Sequence, residues 1–516
     1  MLDQLEQSSG PWDIAVVGGG ATGLGIAVDA ASRGYRTLLL EQQDFCKGTS
    51  SRSTKLVHGG VRYLQRGDLS LVHEALRERG LLIRNAPHLV HDLSFVVPNY
   101  KWWEAPFYGV GMKVYDLLAG KLGLGPSTWL SREETLLQIP TLEPGGLRGG
   151  VMYHDAQFDD ARLGIALAIT AAGQGATLIN YFRVEGLMKS GGKTCGILGK
   201  DLLSGTQMEI PSRVVINATG VFSDALVQAD DPGAPSLVSP SQGIHMVLDR
   251  KFLPRQTAIM VPHTDDGRVL FAVPWLGRVL VGTTDTPVEH PVLEPIALPE
   301  ELDFLMKHAS RYLAIPPSLG DILSVFAGLR PLVRSSSSKQ TASLSRDHHL
   351  SVSPSGLLTI TGGKWTTYRK MGEDAVDHAA SLGGLKPRQS VTENLHIHGW
   401  SEEAGGEDPL AAYGSDRGRI FQLIREEPGL GNPIHPRLPY LRAQVLWAVR
   451  EEMALTLEDV LSRRTRCLLL DARAAIEAAP ETATLMAREL GKDEAWVRHQ
   501  VGEFQAIARG YLPDHL

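Results

Sequence analysis

The stretch DIAVVGGGATGLG, Asp13–Gly25, decides the fold around which the rest of the chain must be arranged. Its first five residues form an apolar run typical of a buried strand, and Thr22–Arg33 is rich in Ala and Leu, which is typical of a helix. A second apolar run, YRTLLLE, follows and ends at Glu41. The sequence therefore predicts a βαβ unit of a parallel, Rossmann-like α/β sheet.

The loop between the first strand and the helix has the spacing G-x-G-x-x-G, formed by Gly18, Gly20 and Gly23. The first glycine permits a tight turn, the second lets a pyrophosphate approach the backbone, and the third lets the helix pack on the strand. The amino end of the helix, with Ala21 and Thr22, then faces the phosphates. Glu41 stands where a carboxylate accepts hydrogen bonds from ribose hydroxyls, which disfavours NADP. FAD and NAD both stay open at this point.

The segment after Glu41, DFCKGTSSRSTKLVHGGVRYL, is too polar for a core element and too long for an ordinary βα loop. A loop so rich in hydrogen-bond donors can wrap the phosphates and the isoalloxazine edge of an extended flavin, which favours FAD over NAD. A merely solvated loop is the alternative. The candidate cofactor contacts here are Thr49, Ser50, Ser51, Lys55, Gly59 and Gly60.

Composition limits the classes of partner and site. The 516 residues carry a formal net charge of −7, which argues against nucleic acid as a partner. The three cysteines are far apart and outside any CxxC spacing, so we expect no disulfide framework, no metal site and a reducing, cytoplasmic setting. We expect no secretory signal, because the first residues carry two acids and no basic amino end, and no apolar run reaches about 18 residues.

Apolar runs along the chain predict a discontinuous FAD-binding domain, an inserted antiparallel β-sheet substrate domain and a C-terminal all-α domain. We expect the FAD-binding domain at 12–95, 150–225 and 345–383, the substrate-binding domain at 96–149 and 226–344, a linker at 384–407 and the helical domain at 408–516.

Several blocks resemble, in order, those of the FAD-dependent glycerol-3-phosphate dehydrogenases of the glycine-oxidase-like flavoprotein group. They are the glycine loop, GTSSRSTKLVHGGVRYL, PWLGRVLVGTTDT, AGLRPLV, SRDHHL, TGGKWTTYRK and TLEDVLSRRTR. The resemblance covers nearly the whole chain. It implies FAD as the cofactor and the oxidation of glycerol 3-phosphate to dihydroxyacetone phosphate.

The resemblance also implies which cations surround the substrate phosphate, and arginine suits that task because its planar fork binds phosphate oxygens bidentately. The implied substrate contacts are Arg62, Tyr63, Thr284, Arg330, Arg346 and Lys364. Arg330 lies between Gly-Leu and Pro-Leu, where a buried anion partner is more natural than exposure. Arg346 beside Asp347 is equally consistent with a local ion pair.

His245, in the apolar setting QGIHMVL, is the candidate base, since an unpartnered imidazole is costly there and its ordinary pKa suits proton removal near neutrality. A satisfied core histidine is the alternative, and Arg330 could instead stabilise the developing alkoxide. A helix beginning near Lys364 would aim its positive amino end at the flavin. The resemblance adds Val184, Ala218, Gly220, Gly363, Lys364 and Thr366 to the cofactor contacts.

We expect a quinone to reoxidise the flavin, which requires contact with a membrane, at the inner face of the cytoplasmic membrane. Lys101–Gly123 combines aromatic residues with lysines, a composition suited to a membrane surface, although a substrate lid or core packing is the alternative. A glycerol-3-phosphate oxidase, an amino-acid-type oxidase and a non-catalytic nucleotide sensor stay open as alternatives. A homodimer stays open as well.

Overall fold

The computed structural model describes residues 5, 10–60, 68–262, 264–265, 267–334, 348–402, 408 and 410–515. The strands in these ranges are β1 (Trp12–Val17), β2 (Thr37–Leu40), β3 (Leu56–Val57), β4 (Val90–Asn99), β5 (Thr128–Ser131), β6 (Gly149–Phe158), β7 (Thr177–Ile179), β8 (Phe182–Ser190), β9 (Lys193–Asp201), β10 (Gln207–Asn217), β11 (Val238–Asp249), β12 (Thr257–Val261), β13 (Leu270–Trp275), β14 (Arg278–Gly282), β15 (Thr286–Pro287), β16 (Ile322–Val333), β17 (His348–Val352) and β18 (Leu358–Gly362).

The α-helices in the same ranges are α1 (Ala21–Ser32), α2 (Leu69–Asn85), α3 (Glu104–Ala119), α4 (Arg132–Gln138), α5 (Asp160–Gly173), α6 (Ser223–Asp230), α7 (Pro299–Tyr312), α8 (Tyr368–Leu382), α9 (Arg417–Glu426), α10 (Arg442–Glu451), α11 (Cys467–Leu470), α12 (Ala472–Leu490) and α13 (Glu494–Arg509). A π-helical turn, Asp459–Arg464, precedes α11.

The first sheet has the strand order β17-β18-β10-β1-β2-β7, and the pairs from β18 to β7 run parallel. Alternate residues of its strands enter two different cores, as the two-residue period of a strand requires. Ile14 and Val16 pack against α1, α5 and α8, whereas Ala15 and Val17 pack on the opposite side with Phe182 of β8. The predicted βαβ unit and α/β fold class are confirmed.

The second sheet has the order β15-β11-β14-β13-β12-β4-β6-β3, with β16 added beside β11 and β5 beside β6. Its pairs are antiparallel except that of β4 with β12. Ile244 and Met246 of β11 face a core that includes α7, whereas Val247 faces the C-terminal helices. The C-terminal helices therefore rest on one face of this sheet, and the predicted inserted sheet and helical domain are both present.

Strand pairing refines the expected domain limits. β4 and β6 pair along their whole lengths within the second sheet, so the limits predicted at 95/96 and 149/150 fall at or within strands of that sheet. The predicted linker also packs against the first domain in its described part. Ile397 belongs to the core beside α1, and the Tyr35 hydroxyl donates to the Lys386 carbonyl at 2.8 Å. A Gly- and Pro-rich composition indicates turns and does not report their burial.

Buried charge pairs join the loop after β2, which contains Asp44 and Lys47, to the C-terminal domain. Asp44 accepts hydrogen bonds from the guanidinium groups of Arg463 and Arg464. Burial opposes ionisation of Asp44, but the two guanidinium charges outweigh it and lower the pKa of this carboxyl to about 2. Glu458 has a pKa of about 2 for the same reason, because Arg463 and Lys47 outweigh its burial.

These pKa values predict how stability depends on pH. A carboxyl whose pKa is lower in the folded state contributes stability above its ordinary pKa and loses it as pH falls through the folded value. We expect the contribution of Asp44 and Glu458 to be lost progressively between about pH 4 and pH 2. Thermal unfolding followed by circular dichroism across this range measures the loss.

Asp44→Asn tests the assignment. It should be less stable than the parent protein at pH 7, by about 3–5 kcal/mol for a broken buried pair, and its stability should fall less steeply between pH 4 and pH 2. Asp303→Asn, at an exposed position of α7, is the matched control and should follow the parent. Equal slopes for Asp44→Asn and the parent would contradict the prediction.

Candidate active site

A groove of about 360 Å³ runs over the carboxyl ends of β1 and β2, where parallel α/β sheets bind their ligands. We call it the dinucleotide groove. The predicted cofactor residues that line it are Gly18, Gly20, Ala21, Thr22, Glu41, Thr49, Ser50, Val184, Ala218, Gly220, Gly363 and Lys364. It therefore gathers residues that are far apart in the chain.

At two positions of the glycine loop, Gly18 and Gly23, the backbone leaves no room for a side chain. Gly18 has φ +107°, and a Cβ there would lie 2.6 Å from the Ala218 carbonyl oxygen. A Cβ on Gly23 would lie 1.8 Å from the Gly18 carbonyl oxygen. Helix α1 begins after Gly20 with no side-chain cap and no acidic residue in its first turn. The loop and helix end thus fit a pyrophosphate.

Glu41 lines the same groove and has a fixed orientation. Its carboxylate accepts hydrogen bonds from the Gly19 amide at 2.7 Å and the Gln43 amide at 2.9 Å. Burial raises the pKa of this carboxyl, and the two amides oppose that rise. The two amides fix the carboxylate at the edge of the groove, and its contact with ribose hydroxyls stays a prediction.

Six predicted cofactor contacts lie outside the groove lining: Gly23, Ser51, Lys55, Gly59, Gly60 and Thr366. Lys55 shows why, since its ammonium is fully buried and donates to Asp160 at 2.7 Å and to the Ser51 carbonyl at 2.8 Å. The Gly59 amide donates to the Tyr115 hydroxyl at 2.8 Å. The Thr366 hydroxyl donates to the His58 carbonyl at 3.4 Å. These residues shape the loop behind the groove.

The groove also contains residues that sequence reasoning missed, including Cys46, Lys47, Gly48, Phe182, Phe222, Leu293, Pro331 and Trp365. Phe182 had a usable signal, because it precedes Val184 by two residues on β8 and so lies on the same face. Pro331 and Leu293 had no such sequence signal. Pro331 lies in β16 of the second sheet, and Leu293 lies in the loop after β15. Their presence shows that the dinucleotide groove extends to that sheet.

The pairing of β11 with β16 brings His245 and Arg330 to one face of the second sheet. Ser241 lies opposite Arg330 and His245 opposite Phe326, so alternation places all four on the same face. The imidazole stacks on the Phe326 ring, with centroids 5.0 Å apart. Pro331 lines the groove, and the Leu329 carbonyl accepts a hydrogen bond from the groove-lining Thr49 at 2.6 Å, so the backbone on both sides of Arg330 borders the groove. The side chains of Arg330 and His245 are not part of the groove lining.

His245 is 2% exposed, and its Nε2 lies 2.9 Å from the Thr54 hydroxyl oxygen. Burial lowers the pKa of this imidazole well below its ordinary value, and the positive charges of Lys55 and Arg330 lower it further. The ring is therefore neutral near pH 7, which is the state a proton acceptor requires. Thr54 belongs to the segment that begins at Asp44, which we call the serine-rich loop (44–60 in its described part), so this loop joins the groove to the second sheet.

Arg330 keeps 22% of its side chain exposed while bonding to neighbouring strands. It donates to the Thr283 hydroxyl and the Thr284 carbonyl, both at 3.0 Å, and pairs with Asp285 at 3.4 Å. A Cβ on Gly243 would lie 2.1 Å from its Nη2, so the glycine makes room for the guanidinium. These bonds fix the direction of the guanidinium.

Of the remaining predicted site residues, Thr284 bonds to neighbouring strands and Lys364 lines the groove. The Thr284 hydroxyl donates to Glu301 at 2.8 Å and accepts from the Ile244 amide at 3.0 Å, so it supports the strands rather than facing the groove. Lys364 precedes the 3₁₀ turn Trp365–Thr367 and α8, so a helical segment does begin there. Arg62, Tyr63 and Arg346 lie outside the described residues.

Comparison with known proteins agrees with this geometry. Residues 13–369 match the family described as FAD dependent oxidoreductase, and residues 359–497 match the C-terminal domain of alpha-glycerophosphate oxidase. The fold and groove thus define an FAD-dependent oxidoreductase, and FAD is its cofactor.

The chain belongs, more narrowly, to the FAD-dependent glycerol-3-phosphate dehydrogenases, as the sequence resemblance predicted. It is 40% identical to the mitochondrial glycerol-3-phosphate dehydrogenase of Macaca fascicularis, and the matched region covers 98% of this chain and 74% of that protein. It is likewise 40% identical to the human mitochondrial enzyme, covering 95% and 72%. The glycerol-3-phosphate dehydrogenase of Bacillus halodurans, solved with FAD, superposes with a TM-score of 0.81 at 28% identity, covering 99% and 97%.

The contact between Gly23 and Gly18 leads to a prediction. Gly23→Ala should lower FAD content by about 10-fold or more, because the new methyl group would displace the Gly18 carbonyl and open the loop. Flavin absorbance per mole of purified protein measures this. Gly502→Ala is the matched control, since nothing lies within 4 Å of a Cβ there, and it should keep full FAD content. Full FAD content in Gly23→Ala would contradict the prediction.

Proposed function

We propose that the protein oxidises glycerol 3-phosphate to dihydroxyacetone phosphate. The observation that carries this proposal is the junction of the dinucleotide groove with a face that holds a neutral, buried imidazole and a fixed guanidinium. His245 would accept the proton, and Arg330 would attract the anion. The relatives that share 40% identity are named for this activity.

The reaction removes a proton from the C2 hydroxyl and a hydride from C2, leaving a carbonyl. FAD, when bound, supplies the two-electron acceptor for the hydride. We assign the proton to His245, because its imidazole is neutral near pH 7 and lies on the same face of the second sheet as Arg330. Arg330 can also stabilise the negative charge that develops on the C2 oxygen as the proton leaves.

The phosphate of the substrate needs cations, and the proposal assigns them as a group. Lys364, which lines the groove, and Arg330, which is adjacent to the groove-lining Pro331, supply two. We retain Arg62, Tyr63 and Arg346 as further substrate contacts on the strength of the resemblance. An amino acid substrate would need a site for an amine and a carboxylate instead, and several cations do not suit it.

An anaerobic titration tests the proposal. Glycerol 3-phosphate should bleach the visible flavin band of the purified holoenzyme. Arg330→Ala should keep its FAD but lose about 10- to 100-fold in kcat/KM, because one or two charge-assisted hydrogen bonds would be lost. Arg311→Ala removes an exposed arginine paired with Asp265 and is the matched control.

Three outcomes would contradict the proposal. A flavin band that persists with glycerol 3-phosphate but bleaches with an amino acid would indicate an amino-acid-type oxidase. A flavin that no substrate bleaches would indicate a nucleotide sensor. Normal kinetics in Arg330→Ala would remove Arg330 from the site.

We also propose that a membrane quinone reoxidises the flavin and that α3 contacts the lipid surface. Phe107, Val110, Val114 and Leu117 form one exposed apolar face of α3, with Val110 62% and Leu117 80% exposed. The opposite face is a second apolar surface, which packs into the core through residues that include Met112. A surface helix of a soluble monomer normally has one apolar face, which packs on the core. The second, exposed apolar face of α3 therefore indicates a contact surface.

The surroundings of this face suit a lipid surface. Trp102 is 77% exposed just before the helix, and the Lys101 ammonium lies 5.8 Å from the centroid of the Trp103 ring. The Lys113 ammonium lies 5.7 Å from the centroid of the Trp129 ring. Aromatic rings beside lysines match the boundary between lipid chains and headgroups. Among the ranges described by the structure, no helix is both long and apolar enough to cross a bilayer.

Substitution of this face gives a prediction. Val110→Gln combined with Leu117→Gln should reduce co-sedimentation with phosphatidylglycerol-containing vesicles and slow the reduction of vesicle-borne ubiquinone. Reduction of a soluble dye should be unchanged, because the face lies on the outside of the helix. Leu203→Gln, at a position 60% exposed, is the matched control.

Unchanged vesicle binding in the double variant would overturn the assignment of α3. Oxygen consumption as fast as quinone reduction would instead indicate a glycerol-3-phosphate oxidase. With a membrane quinone as the electron acceptor, we propose that the protein binds the cytoplasmic face of the cytoplasmic membrane.

A further inference from the structure

The C-terminal domain reaches the active-site loop through three arginines. Arg463, Arg464 and Arg466 are all buried, and they lie in or just after the π-helical turn. Arg463 and Arg464 bind Asp44 at the start of the serine-rich loop. Arg466 binds further along the same loop, at its centre.

The guanidinium of Arg466 joins three acceptors. Its Nη2 donates to the Ser51 carbonyl at 2.7 Å and to the Asp160 carboxylate at 3.1 Å, and its Nη1 donates to the Ser462 carbonyl at 2.9 Å. The side chains of Arg466 and Asp160 are both fully buried. A planar fork can satisfy this arrangement, whereas a single ammonium cannot reach all three acceptors.

Asp160 passes this constraint to the neighbouring residues of the loop. Its Oδ2 accepts from the Ser53 amide at 3.0 Å, the Ser53 hydroxyl at 2.7 Å and the Lys55 ammonium at 2.7 Å. The Ser51 carbonyl receives Lys55 as well as Arg466. Thr54 lies between the two residues that Asp160 binds, so its backbone is held on both sides.

Thr54 is the residue whose hydroxyl lies 2.9 Å from Nε2 of His245. The imidazole has Phe326 stacked on it, and Gly282 leaves no room beside it, since a Cβ there would lie 2.1 Å from its Cδ2. Packing therefore fixes the plane of the ring, and the Thr54 hydroxyl is the hydrogen-bond partner of its Nε2.

We propose that Arg466 is a positioning residue for His245, acting through Asp160 and the Ser51–Lys55 segment to hold the Thr54 hydroxyl against the imidazole. The C-terminal domain thereby completes a site whose other parts all precede that domain in the chain. The inference rests on the proposed role of His245 as proton acceptor.

The test compares three conservative variants of the holoenzyme. Arg466→Lys keeps the buried charge but loses the fork, Ser53→Ala removes one hydroxyl bound to Asp160, and Thr54→Val removes the hydroxyl beside His245. We expect each to lower kcat with glycerol 3-phosphate by about 10- to 100-fold, because a displaced proton acceptor is costly. KM and FAD content should change less than 3-fold. Arg488→Lys, which alters an exposed pair with Glu427, is the matched control.

Two further measurements separate positioning from a general loss of structure. The Arg466→Lys and Thr54→Val effects on kcat should be strongly non-additive, because both act on one hydrogen bond. In addition, ¹⁵N imidazole shifts of His245, assigned with His245→Gln, should change in Arg466→Lys and in Thr54→Val and stay the same in Arg488→Lys.

The outcomes are distinguishable from failure of the proposed function. A parent holoenzyme that glycerol 3-phosphate does not bleach would refute the function, while the imidazole shifts would still test the positioning. Additive losses, unchanged His245 shifts in Arg466→Lys, or a loss of FAD with normal kcat per bound flavin would each overturn the inference.

Discussion

The structure depends on one requirement, that the carboxylates buried beneath the serine-rich loop have cationic partners. Asp44 and Asp160 are both fully buried, and neither could stay ionised there alone. Their partners are Arg463 and Arg464 for Asp44, and Lys55 and Arg466 for Asp160. Breaking such a pair typically costs about 3–5 kcal/mol, so the loop and the C-terminal domain are stable only together.

This requirement explains how one loop can serve two sites. The serine-rich loop contributes Thr49 and Ser50 to the dinucleotide groove and Thr54 to His245. The Thr49 hydroxyl donates to the Leu329 carbonyl at 2.6 Å, and the Trp365 indole donates to the Ser50 carbonyl at 2.8 Å. This loop contains little regular structure. Hydrogen bonds to several other elements fix its conformation, among them β16 through Thr49 and the turn before α8 through Ser50. The loop thereby fixes the positions of the dinucleotide groove and His245 relative to each other.

The sequence predicted those parts of the molecule whose signals are local. The glycine loop, the following helix and Glu41 lie within 30 residues, and each has a spacing with a known physical reason. The polar loop around Lys55 predicts that this residue lies at the flavin edge. Polarity does not reveal that the Lys55 ammonium forms a buried ion pair with Asp160, 105 residues later. Composition likewise indicated a linker where the chain packs against the first domain.

Residue type alone also could not predict what surrounds His245. Its apolar neighbours indicated burial, yet the stacking with Phe326 depends on the register of β11 with β16, and the contact with Thr54 spans 191 residues. The resemblance to a known family compensated for this at His245 and Arg330. It offered nothing comparable for Arg463, Arg464 or Arg466, whose partners become visible only when the C-terminal domain is docked.

The separation of Asp44 from Arg464 has a consequence for the order in which the protein assembles. The two residues are 420 positions apart, so at about 5–20 residues per second the ribosome makes the arginine roughly 20–80 s after the aspartate. The parallel sheet can form before that interval ends, because its last parallel strand, β18, is complete at Gly362. The loop that joins the dinucleotide groove to His245 lacks the partners of Asp44 and Ser51 until Arg464 and Arg466 have been made, so it reaches its final conformation only after nearly all of the chain has been synthesised.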